Sequence, residues 1–228
     1  MTELRSCLLL VGVAFVGLAY GTDPVCSADK FSPRPAWTTS KIQGMPTPPA
    51  PYQIVSAFPR FQFDHPSSLE EMPNGRMLVA EIGGRIYSFN KKTPNGKLNL
   101  VGDLKEVLPQ ELSRNVGRLL LDVTLHPNFA KNRYLFVAYA YPGKEGHRRV
   151  SRFKVTERET LDLKSETVIL TWPTGGHSEG CLNFGKDGML YISTGDGSGP
   201  NPPDGLTTGQ DISDLLGSIL RIDVDHPR

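Results

Sequence analysis

The residues best suited to chemistry lie together in Gly175-Gly176-His177-Ser178-Glu179-Gly180-Cys181-Leu182-Asn183-Phe184-Gly185. The stretch continues through Lys186-Asp187-Gly188-Met189-Leu190-Tyr191-Ile192-Ser193-Thr194-Gly195-Asp196-Gly197. An imidazole takes up and releases a proton near neutral pH, so His177 is the candidate general base. The plainer reading is a loop histidine bonding a neighbouring main-chain group. Glycines beside it, Gly176 among them, let a ligand approach the backbone closely. Asp196, inside Thr194-Gly195-Asp196-Gly197-Ser198-Gly199, can orient a ligand or bind calcium, or it can cap its own turn, which is the commoner use of a loop carboxylate. Glu179 can tune the imidazole, although an exposed carboxylate is the default. His65, His126 and His226 each precede a proline and read as turn residues. Gln210 and Asp211 read as caps of a short helix ending at Leu216.

The elements that must hold this loop are strands. Asp187-Gly188 between two β-prone runs is a hairpin signal. The same turn-then-strand shape occurs at Pro73-Asn74-Gly75-Arg76-Met77-Leu78-Val79-Ala80-Glu81 and at Lys131-Asn132-Arg133-Tyr134-Leu135-Phe136-Val137-Ala138-Tyr139. Gly75 to Arg133 is 58 positions and Arg133 to Gly188 is 55. A second alternating strand follows each copy, at Gly84–Phe89, Arg149–Val155 and Ser218–Val224. Further strand candidates are Leu119–Leu125 and Glu166–Leu170. Only Asp103–Leu112 and Gln210–Leu216 read as helical, and both are short. Regular strands with a period a little above fifty residues point to an all-β β-propeller with an incomplete set of about three blades. A ring needs about four to eight blades, so the chain is expected to be a fragment of a longer protein and inactive alone.

Composition agrees with many turns, with 23 Gly and 19 Pro in 228 residues. The net charge is +1 with no basic block, which argues against a nucleic-acid partner. Arg5, the apolar run Leu8–Leu18 and Ala19-Tyr20-Gly21 have the form of a signal peptide over 1–21. The run is too short for a comfortable membrane span, so no span is expected after cleavage. Residues 22–51 are polar and Pro-rich, as a linker or surface strap, and 52–228 form the partial propeller. Cys7 leaves with the leader. Cys26 and Cys181 can pair in an oxidising compartment, although two unpaired thiols is the favoured reading.

Leu125-His126-Pro127-Asn128-Phe129-Ala130-Lys131-Asn132 followed by Tyr134-Leu135-Phe136-Val137 resembles the first signature of the glucose/sorbosone dehydrogenase family. His177–Gly197 resembles that family's active-site loop and following strand. Gly209-Gln210-Asp211 with Leu215-Leu216-Gly217-Ser218-Ile219-Leu220-Arg221-Ile222-Asp223 resembles its next signature, and the likeness spans Phe58 to Asp225. The resemblance implies a six-bladed propeller that uses pyrroloquinoline quinone (PQQ) and calcium to oxidise an aldose sugar or a related alcohol or aldehyde. It places His177 as the base that takes the sugar's anomeric hydroxyl proton while hydride passes to the quinone. Gly176 and Asp196 become the cofactor-side residues, and no metal ligand is assigned within this chain. An external electron acceptor such as a cytochrome is implied, as is export to the periplasm or the cell exterior.

Three departures stand out. The family often carries a Gln or Glu ahead of a Gly-Leu-Leu-Gly run, where this chain reads Gly117-Arg118-Leu119-Leu120-Leu121-Asp122. A second small residue is usual after the histidine, and Glu179 stands there instead. The family's Arg-Asn pair and later Lys and Arg groups would fall beyond Arg228. The rival reading is a non-catalytic propeller that binds a protein or a glycan, since one fold serves both uses.

Overall fold

A computed structural model describes residues 55–92, 97–114, 117–142, 146–199 and 207–226. The chain divides into two units, Met1–Ile54 and Val55–Arg228, and the described residues all belong to the second. The expected leader over 1–21 and the strap over 22–51 lie outside the described residues, as does Cys26. Among the described residues no helix is long and apolar enough to cross a membrane.

Among the described residues the architecture is all-β, in three antiparallel sheets taken from the chain in strict order. Sheet one pairs β1 (Pro66–Glu71), β2 (Met77–Glu81), β3 (Arg85–Phe89) and β4 (Asn99–Asp103). Sheet two pairs β5 (Leu120–Leu125), β6 (Tyr134–Tyr141), β7 (His147–Val155) and β8 (Leu161–Pro173). Sheet three pairs β9 (Gly180–Phe184), β10 (Leu190–Thr194) and β11 (Ile219–Ile222).

The repeat read from sequence is one turn built three times. Gly75, Arg133 and Gly188 all take positive φ, at 76°, 60° and 78°. In each copy the preceding side chain accepts a bond from the N–H of the residue after: Asn74 from Arg76 at 3.1 Å, Asn132 from Tyr134 at 3.1 Å, Asp187 from Met189 at 3.1 Å. Asx side chains serve this local role well. Arg133 occupies the left-handed position without being glycine, and its side chain is anchored by bonds to the carbonyls of Val155 (3.1 Å) and Thr156 (2.6 Å).

The two helical expectations reduce to single turns. Leu104–Val107 is a 3-10 turn and α1 covers only Gln110–Ser113, because Pro109 forces Leu108 into the extended region and splits the segment. Near Gln210 there is a 3-10 turn, Thr208–Gln210, for which Asp211 is the C-terminal cap residue. Beyond it the Asp211 and Asp214 carboxylates take the backbone N–H groups of Ser213 and Leu216, which diverts the main chain from a helix. A single helical turn, α2 (Phe129–Asn132), joins β5 to β6.

Sheet two is buried on both faces, as its nearly continuous apolar β6 requires. Leu135, Val137 and Tyr139 join a core with Leu78, Ala80 and Ile86 of sheet one. Phe136 and Ala138, one residue out of phase, join a second core with Leu182, Leu190 and Ile192 of sheet three. The far face of sheet one is closed by Phe61, with Phe58 and Phe63 packed around it, over Met77, Val79 and Phe89. The first strands lie side by side, β1 against β5 and β5 against β9. Polar stitches join them: Ser68 Oγ donates to Val123 O at 3.3 Å, and Leu182 N donates to Asp122 Oδ2 at 2.7 Å. Sheets one and two are also clamped by Glu159, which holds Arg76 Nε at 2.9 Å and accepts from Ser88 Oγ at 2.6 Å.

Candidate functional site

The loop 174–179 leaves β8 and enters β9 at the end of the sheets where β10 stops and β11 begins. Two segments zip together there through the main chain. His177 N donates to Ser198 O at 2.8 Å, Gly197 N to His177 O at 2.7 Å, and Gly176 N to Gly197 O at 3.0 Å. This approach admits no side chain. A Cβ on Gly176 would lie 2.0 Å from Ser198 O, and one on Gly195 would lie 2.1 Å from His177 O. The glycines thus have a packing reason of their own at this site.

His177 is exposed, with its side chain 56% accessible, and its Nδ1 stands 3.5 Å from Asp196 Oδ1. The same Asp196 oxygen accepts from Ser198 N at 3.0 Å. One carboxylate therefore caps its own turn and faces the imidazole, and the main chain of Asp196 is fixed by the Thr208 hydroxyl. Ser198 Oγ is buried beside them with no hydrogen-bond partner among the described residues.

Three positioning residues carry no local sequence signal. Ser178 is fully buried and its hydroxyl donates to Gly175 O at 3.1 Å, closing the turn around the histidine. Arg148, on β7, donates Nε to Ser178 O at 3.0 Å and to Ser178 Oγ at 3.1 Å. Burial pulls the Arg148 guanidinium below the usual arginine range, with Glu179 acting against that and Arg118 adding to it. Glu179 is itself paired with Arg118 Nη2 at 3.2 Å. Arg148 faces Trp172 across the β7–β8 pair, thirty residues from the loop it holds, so only the strand register brings the two together.

Other candidates sit elsewhere. His126 is buried at the opposite end of β5, where its Nδ1 accepts from Asn128 N at 3.0 Å and its Nε2 meets Asp225 at 3.1 Å. This is the turn role read from sequence, with a cross-sheet partner added. His65 and His226 are exposed and paired with Asp64 and Asp223. Cys181 is a free, exposed thiol on β9, and burial of its sulfur together with Asp122 and Glu70 raises its pKa. No group of three or more His, Cys, Asp or Glu able to hold a metal occurs among the described residues.

The glucose/sorbosone dehydrogenase family matches residues 63–226. Aldose sugar dehydrogenase YliI of Escherichia coli is 30% identical over 167 residues, covering 71% of this chain and 42% of that protein. Human Hedgehog-interacting protein is 33% identical over 172 residues, covering 67% of this chain and 24% of its own length. Among solved structures, the PQQ-bound aldose sugar dehydrogenase of Streptomyces coelicolor superposes with a TM-score of 0.60 at 25% identity, over 76% of this chain and 48% of that one. The chain thus spans less than half the length of these relatives. Matched over most of its described residues, it belongs to the glucose/sorbosone dehydrogenase family.

Proposed function

We propose that the protein oxidises an aldose sugar or a related alcohol, with His177 as general base and PQQ as oxidant. The observation that carries this is the ring of His177: its Nδ1 faces Asp196 at 3.5 Å while over half of the side chain is open to solvent. A carboxylate at Nδ1 favours the tautomer with the proton on that nitrogen. Nε2 is then left with its lone pair to accept the anomeric hydroxyl proton. The paired main-chain segments, Ser178 and Arg148 hold the backbone that carries the ring, so the loop itself need not reorganise as the proton moves. The substrate carbon loses a hydride as its oxygen loses that proton, which turns a lactol into a lactone.

The donor set fits the reacting edge of such a cofactor. Gly176 and Gly197 bring backbone without side chains beside His177, and Ser198 Oγ is a buried polar atom with no hydrogen-bond partner among the described residues. His177, Gly176 and Asp196 are the residues that would border it. When bound, PQQ supplies a two-electron acceptor for the departing hydride. Calcium has no comparable fit, since the described residues hold no ligand cluster, and no step here depends on it.

We further infer that the three sheets are successive blades of a β-propeller whose inner strands are β1, β5 and β9. Export to the periplasm or exterior and electron transfer to an external acceptor such as a cytochrome complete the proposal. The Hedgehog-interacting protein relationship keeps a binding role in view, but a scaffold needs no imidazole opposed by a carboxylate at its rim.

The test is the full-length protein with PQQ and calcium, an aldose and an artificial dye. Dye reduction is expected, and His177→Ala is expected to lower kcat by about 10²–10⁴-fold. Normal turnover in His177→Ala would remove the base assignment.

A further inference from the structure

The segment 194–198 is gripped by two loops, and the proposed chemistry uses only one of them. The first is the His177 loop, which zips onto it through the main chain. The second is 207–218, the stretch that includes Gly209-Gln210-Asp211 and Leu215-Leu216-Gly217. Gly217 N donates to Gly195 O at 2.9 Å, Thr194 N to Ser218 O at 2.9 Å, and Ser218 N to Thr194 Oγ1 at 3.1 Å.

This second loop acts on Asp196 itself. The Thr208 hydroxyl donates to Asp196 O, and the bond spans twelve positions, so it ties loop to loop rather than capping its own turn. The Gly209 backbone lies beside the same residue, since a Cβ on Gly209 would meet Asp196 Cβ at 4.0 Å. Gly217 makes the approach possible: it takes a φ of 59°, and a Cβ there would lie 2.8 Å from Gly209 Cα. Asp196 therefore has its carboxylate held by Ser198 N at 3.0 Å and its main chain held by Thr208. Its Oδ1 stands 3.5 Å from His177 Nδ1, at the outer limit of a hydrogen bond. A displacement of about half an ångström decides whether the two groups bond.

We propose that Thr208 is a positioning residue for the Asp196–His177 pair, with the loop 207–218 as its mount. The hydroxyl sets where the Asp196 peptide sits, and the peptide sets where the carboxylate meets Nδ1. The carboxylate in turn selects the tautomer that leaves Nε2 able to accept a proton. Thr208 acts only through Asp196. The inference deepens the sugar-oxidation reading and rests on it for the effect on turnover, whereas the effect on the imidazole needs no substrate.

The test uses the full-length protein with histidine labelled for nitrogen NMR, in which the ring shifts report which nitrogen carries the proton. The His177 signals are those lost in His177→Ala. Thr208→Val and Thr208→Ala both remove the hydroxyl, one keeping the branched side chain and one not, while Thr208→Ser keeps it. At a pH where the ring is neutral, the Nδ1–H form is expected to predominate in the parent and in Thr208→Ser. The Nε2–H form is expected to rise about twofold or more in Thr208→Val and Thr208→Ala. With PQQ, an aldose and a dye, both are expected to lose about tenfold in kcat with KM within about twofold, and Thr208→Ser to restore turnover. A tautomer ratio unchanged in both variants that lack the hydroxyl overturns the positioning role, as does one that moves equally in Thr208→Ser. A tautomer response in a protein that oxidises no aldose keeps the positioning role and removes the dehydrogenase reading.

Discussion

At His177 one ring nitrogen, Nδ1, stands 3.5 Å from Asp196, and over half of the side chain is exposed. Asp196→Asn keeps an oxygen for the Ser198 N–H and removes the charge beside the imidazole. In the full-length protein this change is expected to lower kcat about tenfold or more, with KM changed less. A fall in KM and kcat together, or no fall at all, would separate Asp196 from the proton transfer. His177, Asp196 and Gly176 were legible because they lie in two short glycine-rich stretches whose residue types announce a loop. Ser178, Arg148 and the pairing of Arg118 with Glu179 were not. Each depends on strand register or on contact across many residues, and nothing near Arg148 in the chain marks it as a loop anchor.

The three Asx turns carry the fold's regularity, and they explain why the repeat could be read at all. Asn74, Asn132 and Asp187 do the same work one residue before the positive-φ position. The helices were misjudged because apolar spacing says nothing about the break at Pro109 or the side-chain competition from Asp211 and Asp214. Asp187 also offers a pH test. The Met189 N–H is the main cause that holds its carboxyl below the ordinary 3.8, with Arg221 and Tyr191 adding to it. Its depressed folded value gives stability that is present above the ordinary value and lost as pH falls through the folded one. Exchange of the Met189 amide is therefore expected to accelerate below about pH 4 in the parent and to show no such step in Asp187→Asn. A step of equal size in both proteins would assign the acid response to another carboxylate.

Across the whole molecule, the sheets are joined by apolar cores and by a few polar ties. The tie at Glu159 is largely enclosed, with Arg76 at 23% and Glu159 at 16% side-chain exposure. Removing one member leaves the other charge without its partner, so Glu159→Ala is expected to cost about 3 kcal/mol in chemical denaturation. A loss under about 0.5 kcal/mol would show that water replaces the tie freely.

Every sheet is a contiguous run of chain, β1–β4, then β5–β8, then β9–β11. Most pairings therefore close short loops, which favours fast and local assembly. Each hairpin set can form as it emerges from a ribosome or a translocation pore, before the next has arrived. Ser68 and Asp122, which reach from one first strand to another, can engage only after both neighbours exist. Vectorial growth, sheet upon sheet, is thus written into the order of the strands.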